Sequence, residues 1–130
     1  MKVLIAEDDF ASRKVMNDYL SKFAECDIAI DGREAITAFN MALTEGDPYD
    51  LVCIHILIPE LDGNEVLKTI RIMESENRIQ SPKKAKVIFT SDVNESKYET
   101  KSFNMETVVY LKKPIQSNEL EEELRKLAVI

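Results

Sequence analysis

Tyr49-Asp50-Leu51-Val52-Cys53-Ile54-His55-Ile56-Leu57-Ile58-Pro59-Glu60-Leu61-Asp62-Gly63 is the stretch on which the fold turns. From Leu51 to the histidine the run is apolar without a break. A strand with one wet face would alternate polar and apolar residues, whereas an unbroken run is what a central strand needs when helices cover both faces of a parallel sheet. Beyond the loop that holds Pro59, apolar residues return at helical spacing in Val66, Leu67 and Ile70. The unit is therefore a buried strand, a loop and an amphipathic helix.

Four more short apolar runs flank it, at residues 3–6, 26–30, 85–89 and 107–111. Between them, Val15, Met16, Tyr19, Leu20 and Phe23 recur at helical spacing and predict one buried stripe. Ala35, Ile36, Phe39 and Leu43 predict a second, and Leu120, Leu124 and Leu127 mark the last helix, with Ser117 as its expected N-cap. Residues 94–104 read as a marginal helix, because apolar positions are sparse there and Asn94, Ser96 and Thr100 are indifferent helix formers. Residues 74–84, with Ser81-Pro82, read as a helix end followed by an exposed loop. Strands alternating with helices make repeated βα units, and 130 residues is the usual size of one domain, here spanning residues 1–130.

The formal charge of -7 argues against binding to nucleic acid, which needs clustered Lys and Arg. No apolar run approaches the roughly 20 residues of a membrane span, and the N-terminus reaches Glu7 too soon for a secretory signal, so a soluble, cytoplasmic protein is expected. Cys26 and Cys53, the two cysteines, lie far apart in apolar runs and read as reduced packing residues.

In an open parallel sheet, groups leaving the carboxyl ends of the strands converge on one crevice. Those ends carry Glu7-Asp8-Asp9, His55, Thr90-Ser91-Asp92 and Lys112-Lys113-Pro114. An acid cluster, an imidazole, a hydroxyl and an ammonium therefore meet. Each also has a plainer reading: Asp9 as a helix cap, Ser91 as a strand-end hydroxyl, Lys113 as a structural counter-charge, and Tyr110 as packing.

Four motifs in this order resemble the response-regulator receiver family, over essentially the whole chain. Leu4-Ile5-Ala6-Glu7-Asp8-Asp9 resembles its acidic first loop, residues 49–63 its phosphoacceptor strand and loop, Val87-Ile88-Phe89-Thr90-Ser91 its strand ending in a switch hydroxyl, and Tyr110-Leu111-Lys112-Lys113-Pro114 its strand with a switch aromatic and a phosphate-neutralising lysine. The resemblance implies a flavodoxin-like three-layer αβα sandwich, with a five-stranded parallel sheet ordered 2-1-3-4-5, and at 130 residues a stand-alone receiver with no output domain is expected. It implies Mg²⁺ held by Glu7, Asp8 and the backbone carbonyl of Leu57, and a phosphate and switch pocket of Ser91, Tyr110 and Lys113. It further implies a non-enzymatic module of bacterial two-component signalling, acting on a sensor kinase or downstream effector that docks on its surface.

Two residues depart from the pattern. His55 stands at the phosphoacceptor aspartate position, where no acyl phosphate can form and where an imidazole replaces a metal-binding anion, so that Mg²⁺ is expected to bind poorly, and Asp92 adds negative charge where a small residue is usual. Three readings of His55 stay open. It fills a pocket that no longer takes phosphate by pairing with Glu7 or Asp8, it joins those acids in a transition-metal site, or it accepts a phosphoryl group itself as a phosphotransfer histidine.

Overall fold

The computed structural model describes residues 1–80, 83–92, 95 and 108–130. Five strands, β1 (Lys2–Ala6), β2 (Glu25–Ala29), β3 (Leu51–His55), β4 (Lys86–Ser91) and β5 (Val108–Lys112), pair in parallel in the order β2-β1-β3-β4-β5. Among the described residues four helices connect or follow them: α1 (Phe10–Leu20), α2 (Gly32–Thr44), α3 (Gly63–Glu76) and α4 (Ser117–Lys126). This is the expected flavodoxin-like sheet and order.

Side-chain alternation along the strands splits the core into two halves. Leu4, Val52, Ile54, Val87 and Phe89 pack with Ala35 and Phe39 of α2 and with Val66, Leu67 and Ile70 of α3. Val3, Ile5, Leu51, Cys53, Ile88 and Leu111 point the other way, onto Met16 and Leu20 of α1 and Leu120 and Leu124 of α4. β3 is buried at all five positions because both halves close over it.

Aspartates set the starts of α1, α2 and α3. Asp9, Asp31 and Asp62 each accept a hydrogen bond from the backbone N–H three residues on, and Glu65 returns the bond to Asp62 in a capping box. Gly63 opens α3 because a Cβ there would lie 2.8 Å from the Phe89 ring and 3.0 Å from the Ile56 Cα.

Several expectations are corrected. Val15 and Phe23 are 40% and 39% exposed, since the buried stripe of α1 is the narrower Met16–Leu20 pair and the helix ends at Leu20, before Phe23. Ser117 is the first helical residue of α4, flanked by Gln116, which makes no side-chain cap bond. Of the marginal helix at 94–104, all but Glu95 lies outside the described residues.

The polar stretch beginning at Glu74 is not all surface: Glu74 is buried. Its carboxylate accepts from Arg71 Nη1 at 2.7 Å and from the Ala85 backbone N–H at 2.6 Å, tying the end of α3 to the entry of β4. Removing one partner of a buried pair strands the other without water. Glu74→Ala is therefore expected to lower unfolding free energy by about 3 kcal/mol, with Glu74→Gln costing less, as read from urea denaturation midpoints. Equal, near-zero losses for both would show the carboxylate to be incidental.

Candidate functional site

The ladder continues one residue past the strands and sets the site. Glu7 N–H donates to the Ala29 carbonyl at 3.0 Å, Ile56 N–H to Thr90 at 2.8 Å and Lys113 N–H to Ser91 at 2.7 Å. Within the sheet His55 pairs with Thr90, and Ser91 with Lys112. The alternation that sends Val3 and Ile5, Leu51 and Cys53, and Leu111 toward α1 and α4 carries on to Glu7, His55 and Lys113. Those three side chains consequently meet above that half of the core.

They form a chain of charged hydrogen bonds. Lys113 Nζ donates to Glu7 Oε1 at 2.6 Å, and Glu7 Oε2 lies 3.0 Å from His55 Nδ1. The Asp9 backbone N–H donates to that same Oε2 at 3.2 Å. Asp8 Oδ1 is 3.4 Å from Nδ1. Across the ring, His55 Nε2 lies 2.9 Å from Glu95 Oε1 and 3.9 Å from Asp92 Oδ2. Arg13 Nη1 donates to the backbone carbonyls of Glu7 at 3.0 Å and Asp8 at 3.4 Å.

Charge outweighs burial for both central groups. Burial opposes an imidazolium at His55, but hydrogen bonds to Glu7 and Glu95 prevail and raise its pKa to about 9. Burial likewise opposes a carboxylate at Glu7, yet bonds from His55, Lys113 and the Asp9 backbone hold it at about 2. Glu95 is lowered in the same sense: against burial, the Asp92 N–H at 2.7 Å and His55 stabilise its anion.

The expected site residues are thus partly united. Glu7, Asp8, His55 and Lys113 converge. Asp9 takes its plainer role, capping α1 through Ser12 N–H at 2.9 Å. Ser91 and Tyr110 have the opposite parity: Tyr110 stacks on Phe89 at 5.4 Å between ring centroids, and the buried Ser91 Oγ finds no hydrogen-bond partner among the described residues. Leu57 lies just past β3, in the turn closed by Ile58 N–H to the His55 carbonyl at 3.2 Å. The sequence reading missed Glu95, whose available signal was its three-residue spacing from Asp92. Its place inside a weak helical stretch hid it.

A hard, oxygen-seeking cation does not fit the Glu7–Asp8 corner as built. Both Glu7 oxygens are taken by cationic donors, and the third position offers an imidazolium where an anionic oxygen is needed.

A family model described as "Response regulator receiver domain" matches residues 3–125. The chain is 28% identical over 126 residues to "Hybrid signal transduction histidine kinase L" of Dictyostelium discoideum, covering 96% of this chain and 7% of that protein. It is 30% identical over 119 residues to the "Probable transcriptional regulator ycf29" of Porphyra purpurea, covering 91% of this chain and 52% of that one. The chain thus spans from under a tenth to about half the length of these relatives. Among solved structures, the receiver domain of the hybrid histidine kinase CckA superposes with a TM-score of 0.71 at 26% identity, covering 98% of this chain and 99% of that one.

His55 is the single histidine, so its ring protons titrate alone in NMR. A pKa near 9 is expected, above the ordinary value of about 6.5. Its stabilisation should be full below pH about 6.5 and lost as pH rises through about 9. That of Glu7 should be full above about 4.5 and lost as pH falls through about 2. His55→Asn should remove the alkaline loss from the stability profile. A ring titrating below about 6.5 would overturn the charged pairing.

Proposed function

The chain belongs to the response regulator receiver family, and from that premise we propose that it is an atypical receiver whose pocket carries its own cation at His55 and signals by docking to a protein partner rather than through an acyl phosphate. The observation that supports this most is the double engagement of the ring, Nδ1 on Glu7 and Nε2 on Glu95, with Lys113 completing the pairing of Glu7.

Aspartyl phosphorylation requires a carboxylate oxygen to attack phosphorus while the donor's leaving group departs. An imidazole at that position supplies no such oxygen. Phosphorylation of His55 itself would need Nε2 to shed its proton and leave Glu95 before attacking phosphorus, and the carboxylates on both sides of the ring favour the protonated form. The receiver domain of the sensor histidine kinase PA1611 of Pseudomonas aeruginosa coordinates a magnesium ion in its active-site cleft, but here His55 and Lys113 supply the positive charge that the acids need.

The receiver domain of the Saccharomyces cerevisiae response regulator Ssk1 is solved in complex with the histidine phosphotransfer protein Ypd1, and a partner of that kind, reading the surface around this pocket, is the counterpart we infer. No helix among the described residues is long and apolar enough to cross a membrane. A second reading, in which Glu7, Asp8 and His55 hold a transition ion, draws on ligand atoms lying within 4.8 Å of one another. It requires Glu7 Oε2 to give up the ring.

Treatment with a small phosphodonor and Mg²⁺ should leave the intact mass unchanged, whereas His55→Asp should gain one base-labile phosphate in a Mg²⁺-dependent way. A base-labile phosphate on the unaltered chain would refute the proposal. So would an acid-labile phosphate, by making His55 an acceptor. Calorimetry should likewise show weak Mg²⁺ binding that strengthens in His55→Asp, and binding equal in both proteins would count against a built-in cation.

A further inference from the structure

The outer edge of the His55 ring faces two carboxylates that follow β4. Glu95 Oε1 lies 2.9 Å from Nε2 and Asp92 Oδ2 3.9 Å. One ligand atom from each of the three residues lies within 4.8 Å of the others. We propose that His55 Nε2, Asp92 and Glu95 form a binding site for a first-row divalent transition ion of the zinc type, separate from the Glu7–Asp8 corner.

The donor set favours such an ion. One imidazole nitrogen with two carboxylates suits zinc or its neighbours, whereas magnesium prefers oxygen alone. Tetrahedral zinc at about 2.1 Å from each donor holds them roughly 3.4 Å apart. Glu95 is already closer than that, and Asp92 needs to close by about half an ångström. A three-residue site leaves a fourth position for water, and the Asp92 side chain, 57% exposed, keeps that position open to solvent.

An independent observation comes from the ring's other nitrogen. A histidine that binds metal through one nitrogen almost always donates its remaining N–H to a carboxylate, which fixes tautomer and orientation. Nδ1 has that partner in Glu7 Oε2 at 3.0 Å, and Glu7 is buried and held by Lys113 at 2.6 Å. Glu95 is positioned too, since its Oε1 accepts the Asp92 backbone N–H at 2.7 Å.

The charge balance also favours a dication. Glu7, Asp8, Asp92 and Glu95 surround the ring, with Lys113 as the other cation of this network. On binding, Nε2 gives its proton to solvent and its lone pair to the metal, so one proton leaves for each ion bound. The site would tie the end of β3 to residues beyond β4. None of this depends on whether His55 takes a phosphoryl group, so phosphodonor labelling and metal binding fail or succeed separately.

The test is a titration of the chelator-stripped chain with Zn²⁺ by calorimetry, and with Co²⁺ by visible absorption. Expected are one ion per chain, release of about one proton, and tetrahedral cobalt bands. Asp92→Asn and Glu95→Gln should each weaken binding tenfold or more, and by more than Asp8→Asn, which removes a nearby charge but no donor. Long-range nitrogen–proton NMR of the zinc form should show Nδ1 protonated and Nε2 bare. Asp92 is exposed, so its variant should keep the parent's fold by circular dichroism. A Kd weaker than about 1 mM, or binding lost in Asp8→Asn and kept in Asp92→Asn, would overturn the proposal.

Discussion

Carboxylates gathered at one end of a sheet repel one another unless positive charge stands between them, and that constraint organises this molecule's upper end. Glu7 is brought there by β1, and Asp92 and Glu95 by the end of β4. The compensating charges are covalent parts of the same sheet, His55 on β3 and Lys113 after β5. Burying such pairs costs desolvation, which is recovered only when lone pairs and protons are all engaged. Glu7 meets that condition: one oxygen takes Lys113, the other takes His55 and the Asp9 N–H. The four strand ends are thereby cross-linked by charge as well as by the backbone ladder.

Parity along the strands decides which residues can join this network. Glu7, His55 and Lys113 share the face of α1 and α4, so their convergence follows from the same alternation that buries Ile5, Cys53 and Leu111. Ser91 and Tyr110 sit one residue out of phase. Tyr110 accordingly joins Phe89 on the α2 and α3 side, and Ser91 Oγ lies buried without a hydrogen-bond partner among the described residues. One residue of register separates a member of the charged chain from a packing residue.

The fold was legible in the sequence because its signals are local. Leu51 to His55 had to be a doubly covered strand, and the strand-end acids, histidine and lysine had to face one crevice. What escaped were features set by contacts distant in sequence. Glu74 reads as a solvated helix end until the Ala85 N–H is seen to need an acceptor 11 residues away. Val15 fits the apolar period of α1, but helical spacing cannot say how wide a stripe the sheet will cover. Glu95 lies 40 residues from His55, and only the adjacency of β3 and β4 brings it within reach of the ring. Pairing of His55 with the first-loop acids was legible; the second carboxylate on its other edge was not.

The two edges of that ring are committed to different degrees. Nδ1 faces Glu7, whose side chain is only 3% exposed, so separating them would leave a charge that water cannot reach, at a cost of about 3–5 kcal/mol. Nε2 faces Glu95, 15% exposed, and Asp92, 57% exposed, so the outer contacts are better hydrated than the inner one. The Asp92 contact falls toward the roughly 0–1 kcal/mol typical of exposed pairs. The inner edge therefore holds the ring in place while the outer edge can exchange partners. Whatever reaches this pocket, a metal ion or the side chain of a docked protein, meets Nε2 first and competes with Asp92 and Glu95. It can do so without disturbing the Lys113–Glu7–His55 chain on which the strand ends depend.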